Sequence, residues 1–291
     1  LTFGFKVLIL NFNFSGGHSP PYELTVDSFF YPILLAAAVS GAASGFLGVY
    51  IVGMRIPFIG TCIAHAAMAG TVLAALCGIP ASVGAIGLSI ATAGSLAAVG
   101  PHKPRIDSNV GLAAAFSLML GLTFLGMGLL GSDRAQMLAM LWGSILFVRK
   151  GQVIAMVALA MVLMAFGAMF NKELKALLFS RSLAAATGVH ERLVYTLFLV
   201  LCGLTLAINL ELVGGLMIFS LITNPAAAAY QLCKGHTRIA AASIGLGCFS
   251  AVAGFLLSFY YNLPTGACIV LVSTLIFMIA AGVRRWGFAG I

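Results

Sequence analysis

Apolar residues recur in unbroken runs of roughly 20, the length of α-helix that crosses a hydrocarbon layer about 30 Å thick. The runs fall near residues 28–53, 59–79, 81–100, 108–130, 151–171, 192–212, 214–232, 237–259 and 265–283. No other feature narrows the fold as much. Of the 291 residues 62% are hydrophobic and 8% charged, too few polar groups to clothe a water-soluble exterior. In lipid every backbone amide must be satisfied inside the protein, which favours continuous helices. The period-2 alternation of a membrane β-barrel is absent. The expected fold class is therefore all-α: a polytopic transmembrane helical bundle of eight or nine spans, forming one domain over residues 1–291.

The span count turns on 192–232, where Gly214-Gly215 separates two short runs that either cross separately or form a merged or re-entrant pair. Other breaks are Arg55-Ile56-Pro57, Ile79-Pro80, PHKPRIDS at 101–108, NKELK at 171–175, CKGHTR at 233–238 and YNLPTG at 261–266. Proline lacks an amide hydrogen and glycine frees the backbone, so both punctuate helices. The opening LTFGFKVLILNFNF is too short to span and reads as an interfacial helix or a clipped remnant.

Charge orients the bundle. With nine spans alternating about a cytoplasmic 171–192 loop, Arg55, Lys103, Arg105, Lys172, Lys175, Arg181, Arg192, Lys234, Arg238, Arg284 and Arg285 face the cytoplasm. Lys6, Arg134, Arg149 and Lys150 fall outside. This satisfies the positive-inside rule and places the C-terminus in the cytoplasm of a cell with an inner, or plasma, membrane. The net charge of +8 then belongs to loops and not to a nucleic-acid surface. Six cysteines show no C-x-x-C pair and mostly sit in apolar runs, as small hydrophobes do. Dense small residues, as in SGAASGFLG at 40–48 and ATAGSLAAVG at 91–100, let membrane helices pack closely.

Two ionisable residues stand inside the spans, His65 and Glu211. Such groups are costly in lipid and usually face the bundle interior or a wet path. Thr61, His65 and Met68 share a helical face, with Cys62 three residues before the histidine. That mixture of oxygen, imidazole and sulfur suits a transition metal. A lone histidine also serves as a hydrogen-bonded packing residue, and Glu211 as an interfacial acid. Both readings stay open.

Between the fifth and sixth runs lies NKELKALLFSRSLAAATGVHERL, 171–193. One amphipathic helix is expected, with Leu174, Leu177, Leu178 and Leu183 on one side, Lys175 and Arg181 on the other, and Thr187-Gly188 closing it. It either docks a soluble partner or merely connects two spans. There is no G-x-S-x-G, H-E-x-x-H or G-x-x-x-x-G-K-S/T, so no catalytic arrangement emerges and any ATP used is hydrolysed by another chain.

Several stretches together resemble the membrane permease subunit of ABC importers for manganese, zinc and iron. They are Arg55 through His65 to Gly70, Phe179 to Gly188, Gly214-Gly215-Leu216-Met217-Ile218-Phe219-Ser220-Leu221-Ile222-Thr223-Asn224-Pro225, and Asn262-Leu263-Pro264-Thr265-Gly266 through Val272. The resemblance implies a type II ABC importer permease fold and a transport subunit without its own ATPase site. It also implies a permease homodimer in membrane lipid and a cytoplasmic ABC ATPase docked on a coupling helix at about 172–190, through Leu174, Leu178, Arg181 and Gly188. An extracytoplasmic solute-binding protein would deliver a divalent metal as substrate, with no covalently bound cofactor. The family's metal contact pairs the histidine with an aspartate four residues earlier. Here that position is Thr61, the proline before the glycine is Ala69, and the acid before P-T-G is Asn262. His65 carries over, and Thr61, Met68 and Glu211 remain pathway candidates. The missing aspartate keeps a metal chelate open as cargo. A secondary transporter or channel for a metal ion or small solute, the other class, usually needs more intramembrane carboxylates.

Overall fold

The structure, a computed structural model, describes residues 22–98, 108–130, 150–186, 188, 190–214 and 218–286. The opening LTFGFKVLILNFNF, Lys6, Lys103, Arg105, Arg134, Arg149 and Thr187 lie outside the described residues, as do Gly215, Leu216 and Met217. Eleven helices are described: α1 Tyr22–Gly53, α2 Pro57–Leu76, α3 Ala81–Ala98, α4 Ser108–Leu129, α5 Lys150–Met169, α6 Asn171–Phe179, α7 Arg181–Ala186, α8 Glu191–Val213, α9 Ile218–Leu232, α10 His236–Tyr261 and α11 Thr265–Arg285. No strand occurs among the described residues. Eight of these helices are long and apolar enough to cross a membrane.

Of the expected span at 214–232 the structure describes Gly214 and α9, whose first amide, Ile218 N–H, donates to the Gly214 carbonyl at 3.1 Å. At its far end the Tyr230 hydroxyl donates to the Val49 carbonyl at 2.9 Å, near the C-terminus of α1. Tyr50 and His236 meet at 3.3 Å, and Arg284 donates to Gln231 at 2.7 Å. Leu178 of α6 abuts Gly53. The reversals after α1, α5, α9 and the end of α11 therefore share one end of the molecule. Arg55, Lys172, Lys175, Arg181, Arg192, Lys234, Arg238, Arg284 and Arg285 stand on these segments, so the basic residues gather there as the sequence predicts.

Close backbone approach holds the bundle. Helix α1 lies antiparallel on α10, and a Cβ at Gly41 would strike the carbonyl of Gly247. One turn on, a Cβ at Gly45 would strike the carbonyl of Ser243, whose hydroxyl donates back to the Gly45 carbonyl at 2.6 Å. Gly70 of α2 and Gly84 of α3 meet the same way. Polar pins add direction: the Asn224 amide of α9 donates to Thr274 at 2.9 Å and Ser273 at 3.2 Å on α11. Such pins gain value where no water competes.

Gly41→Leu should lower the melting temperature in detergent markedly, because overpacking a closed seam costs about 1–3 kcal/mol or more. Gly87→Leu, at a glycine with nothing near its Cβ position, should leave it unchanged.

Candidate functional site: a buried histidine and a basic end

Helix α2 starts cleanly. Arg55 takes a left-handed conformation, φ 59°, and two crossing bonds close α1: Arg55 N–H to Val52 O at 3.0 Å and Ile56 N–H to Ile51 O at 3.1 Å. Pro57 then occupies the first helical turn, where its missing amide hydrogen costs nothing. From Cys62 to Val72 every residue is buried, so α2 is wrapped on all sides. Its alanines and glycines let α3, α4 and α8 crowd in.

His65 is 5% exposed. Its Nδ1 lies 2.9 Å from the Thr61 carbonyl. A carbonyl only accepts, so Nδ1 carries the proton, and in neutral imidazole the lone pair resides on Nε2. The ring stands edge-on to Phe116 of α4, centroids 4.6 Å apart. Thr61 is half-buried. Met68 sits in an apolar cluster with Val72, Ala85, Met127, Ala207 and Leu210, where its thioether fills space. The side chain of Glu211 lies outside the described residues. Among the described residues no three His, Cys, Asp or Glu side chains gather as a metal cage. Among the described residues, His65 with Thr61 therefore offers one imidazole and neutral oxygens.

Sequence reasoning missed a second polar feature. The hydroxyls of Ser40 and Ser44 on α1 and the amide nitrogen of Asn209 on α8 are buried without a hydrogen-bond partner among the described residues. Tyr50 and Phe198 stack edge-on at 5.7 Å where α1 and α8 run antiparallel. Ser40 and Asn209 each lie about 15 Å beyond that pair at 1.5 Å per residue, so they share a depth toward the end away from the basic residues. Their signal was the i, i+4 serines in VSGAAS and a lone asparagine in LAINL, which small-residue packing had absorbed.

The expected single helix at 171–188 is two. Ser180 is extended, φ −170° and ψ 135°, and its hydroxyl accepts from the Leu183 N–H at 3.5 Å, capping α7. Leu174 and Leu177 are buried and Leu178 leans on the core. Leu183 faces outward instead of joining them, 56% exposed, beside Phe179 at 84%. Arg181 does not point away from the bundle either. Its Nε lies 2.6 Å from Glu191, and its guanidinium sits 3.8 Å over the Tyr195 ring. An ion pair and a cation–π contact, both partly shielded, repay that inward turn. Gly188 has φ +79°, a turn that other residues adopt poorly.

Glu191→Gln should free α7 from α8 by about 1–2 kcal/mol, below the cost for a fully buried pair because Arg181 keeps some solvent contact. Limited trypsin digestion should then cut after Arg181 several-fold faster, with the overall melting temperature nearly unchanged.

Curated relatives extend over nearly the whole chain. The manganese transport system membrane protein MntC of Listeria monocytogenes is 27% identical over 253 residues, covering 87% of this chain and 90% of that protein. The manganese import system permease protein ScaB of Streptococcus gordonii is 27% identical, covering 85% and 88%. The high-affinity zinc uptake system membrane protein ZnuB of Haemophilus influenzae is 24% identical, covering 86% and 95%. Among solved structures, PsaBC from Streptococcus pneumoniae in complex with a Fab superposes with a TM-score of 0.76 at 25% identity, covering 87% of this chain and 90% of that one. An inward-facing metal-chelate type ABC transporter shares the fold, with a TM-score of 0.74 at 16% identity over 96% and 98%. The all-helical bundle is an integral membrane protein, and the type II permease architecture inferred from its motifs agrees with these superpositions. Residues 26–284 match the ABC 3 transport family, and the chain belongs to that family as its membrane permease.

Proposed function

We propose that this chain is the permease of an ATP-driven importer for a divalent transition metal ion of the manganese, zinc or iron class. The observation that carries the reading is the buried imidazole of His65, set in the segment by which the chain resembles metal permeases, with its Nε2 lone pair left for a ligand. Imidazole binds each of these metals. A contact built on one imidazole and neutral oxygens holds a cation weakly, which suits passage more than storage, since conduction requires release as well as entry. Thr61 would contribute a neutral oxygen. Met68 packs against apolar neighbours and would shape the wall, and Glu211 would serve near the outer mouth. Ser40, Ser44 and Asn209 supply further polar atoms in the outer half of the bundle.

The sequence has no Walker-type G-x-x-x-x-G-K-S/T, so in this reading a separate ATPase would hydrolyse the ATP. It would dock at the basic end, which the positive-inside rule assigns to the cytoplasm together with the C-terminus. In this arrangement Leu174 anchors α6, Leu178 packs it against α1, Arg181 ties α7 to α8, and Gly188 turns the chain into α8. A solute-binding protein would feed the opposite end, and two permease copies would enclose the path. ATP binding and hydrolysis would alternate access between the two ends.

In proteoliposomes holding the chain with its co-purifying ATPase, uptake of manganese or zinc should require ATP and stop with vanadate. Uptake that follows a proton or sodium gradient without the ATPase would overturn the reading. His65→Ala should reduce uptake at least tenfold with ATPase binding intact; wild-type uptake by that variant would remove His65 from the path.

A further inference from the structure

At the basic end a cavity of about 390 Å³ opens between two segments far apart in the chain. One wall is the α1–α2 turn, Gly53 to Ile56; the other is the break from Leu177 to Arg181, with Tyr195 of α8 behind. The cavity is built by local backbone choices. The left-handed Arg55 reverses the chain sharply, and the extended Ser180 ends α6 so that α7 can turn Arg181 back onto Glu191 and Tyr195. A single uninterrupted helix would carry Arg181 onward along the α6 axis and lose that return.

We propose that this cavity is a socket for an acidic side chain of the ATPase subunit, a contact additional to the outward faces of α6 and α7. The proposal rests on the permease reading above. Charge supports it: Arg55 is exposed at the mouth, with Lys172, Lys175 and Arg192 on neighbouring segments. Against them the described residues at this end offer two acids, Glu173 and Glu191, and Arg181 already engages Glu191. A surface so unbalanced attracts an anionic partner. The lining is mixed: Met54, Ile56 and Leu178 beside Arg55 and Ser180. That fits a carboxylate carried on an aliphatic stem. The volume lies at the small end of ligand pockets, which run from about 300 to 1,000 Å³, room for a side chain or two. Phe179 at the rim is 84% exposed, an aromatic of the kind that partner proteins cover. An anionic lipid headgroup could satisfy Arg55, but the exposed Phe179 beside it offers a protein partner an apolar contact as well as a charge, so the protein partner is favoured.

The test measures affinity of the co-purifying ATPase for the chain in nanodiscs of phosphatidylcholine alone, and in nanodiscs with added phosphatidylglycerol. Arg55→Glu should weaken binding at least tenfold in both lipids, whereas Arg55→Lys should stay within about threefold of wild type. Met54→Trp, which fills the cavity without changing charge, should weaken binding as well and covers the case in which Arg55→Glu fails to fold. A lysine introduced at the matching acid of the ATPase should restore binding to Arg55→Glu, which identifies the occupant. Wild-type affinity in Arg55→Glu and Met54→Trp would overturn the socket. An effect confined to phosphatidylglycerol would assign the cavity to lipid and also overturn it. If the wild-type chain binds no ATPase in either lipid, the permease reading itself fails.

Discussion

The bundle depends on how closely helix backbones approach where glycine replaces a side chain. In hydrocarbon an apolar helix gains little by exchanging lipid for protein, so association rests on contact and on hydrogen bonds that lipid cannot offer. Gly41 and Gly45 put α1 against α10, and Gly70 against Gly84 joins α2 to α3. The Ser243 hydroxyl on the Gly45 carbonyl turns one of these seams from a sliding surface into a fixed register. Everything else is positioned from there. Helix α2 is wrapped by its neighbours, and its histidine is consequently held among protein atoms instead of lipid.

Much of this was legible in the sequence, for a physical reason. The cost of exposing backbone or charge to lipid acts on every residue of a span, so hydropathy and the placement of lysine and arginine give span positions and the shared end of the basic loops. Where energy depends on a few contacts, the sequence says less. Helix α9 is held by Asn224 on Ser273 and Thr274 of α11 and by Tyr230 on Val49 of α1, which no run of apolar residues reveals. The 171–188 segment has an amphipathic pattern that fits one helix, yet Ser180 caps a second one, and Arg181 abandons solvent for Glu191 and Tyr195. An arginine's choice between water and a carboxylate on another helix is a tertiary matter.

The histidine site shows the same division. Its location could be inferred because an ionisable residue in an apolar run is expensive and stands out. Its chemistry could not, because which nitrogen keeps a lone pair depends on the Thr61 carbonyl lying 2.9 Å away. Neither could the sequence show Met68 turning into an apolar cluster with Val72, Met127 and Leu210. Ser40, Ser44 and Asn209 were hidden for a different reason. Serine is a small residue that packs well, and only its lack of a partner among the described residues of the fold sets such a serine apart from a packing one.

Helix α8 connects these pieces mechanically. At the basic end its first turn holds Arg181 through Glu191, and Tyr195 receives the guanidinium. Farther along, Phe198 meets Tyr50 of α1, and the Gly203 carbonyl accepts from Ser89 of α3 at 3.2 Å. At the other end Asn209 reaches the polar level of Ser40, and the helix stops at Gly214, φ 87°. In the proposed importer, force from the ATPase enters at α6 and α7 and would have to travel along a stiff element to open the far end. A continuous hydrogen-bonded helix clamped at its start and ended by a glycine turn meets that need. The ion pair at Glu191 and the turn at Gly214 would then be two ends of one lever, with α1 and α3 as the surfaces it bears on.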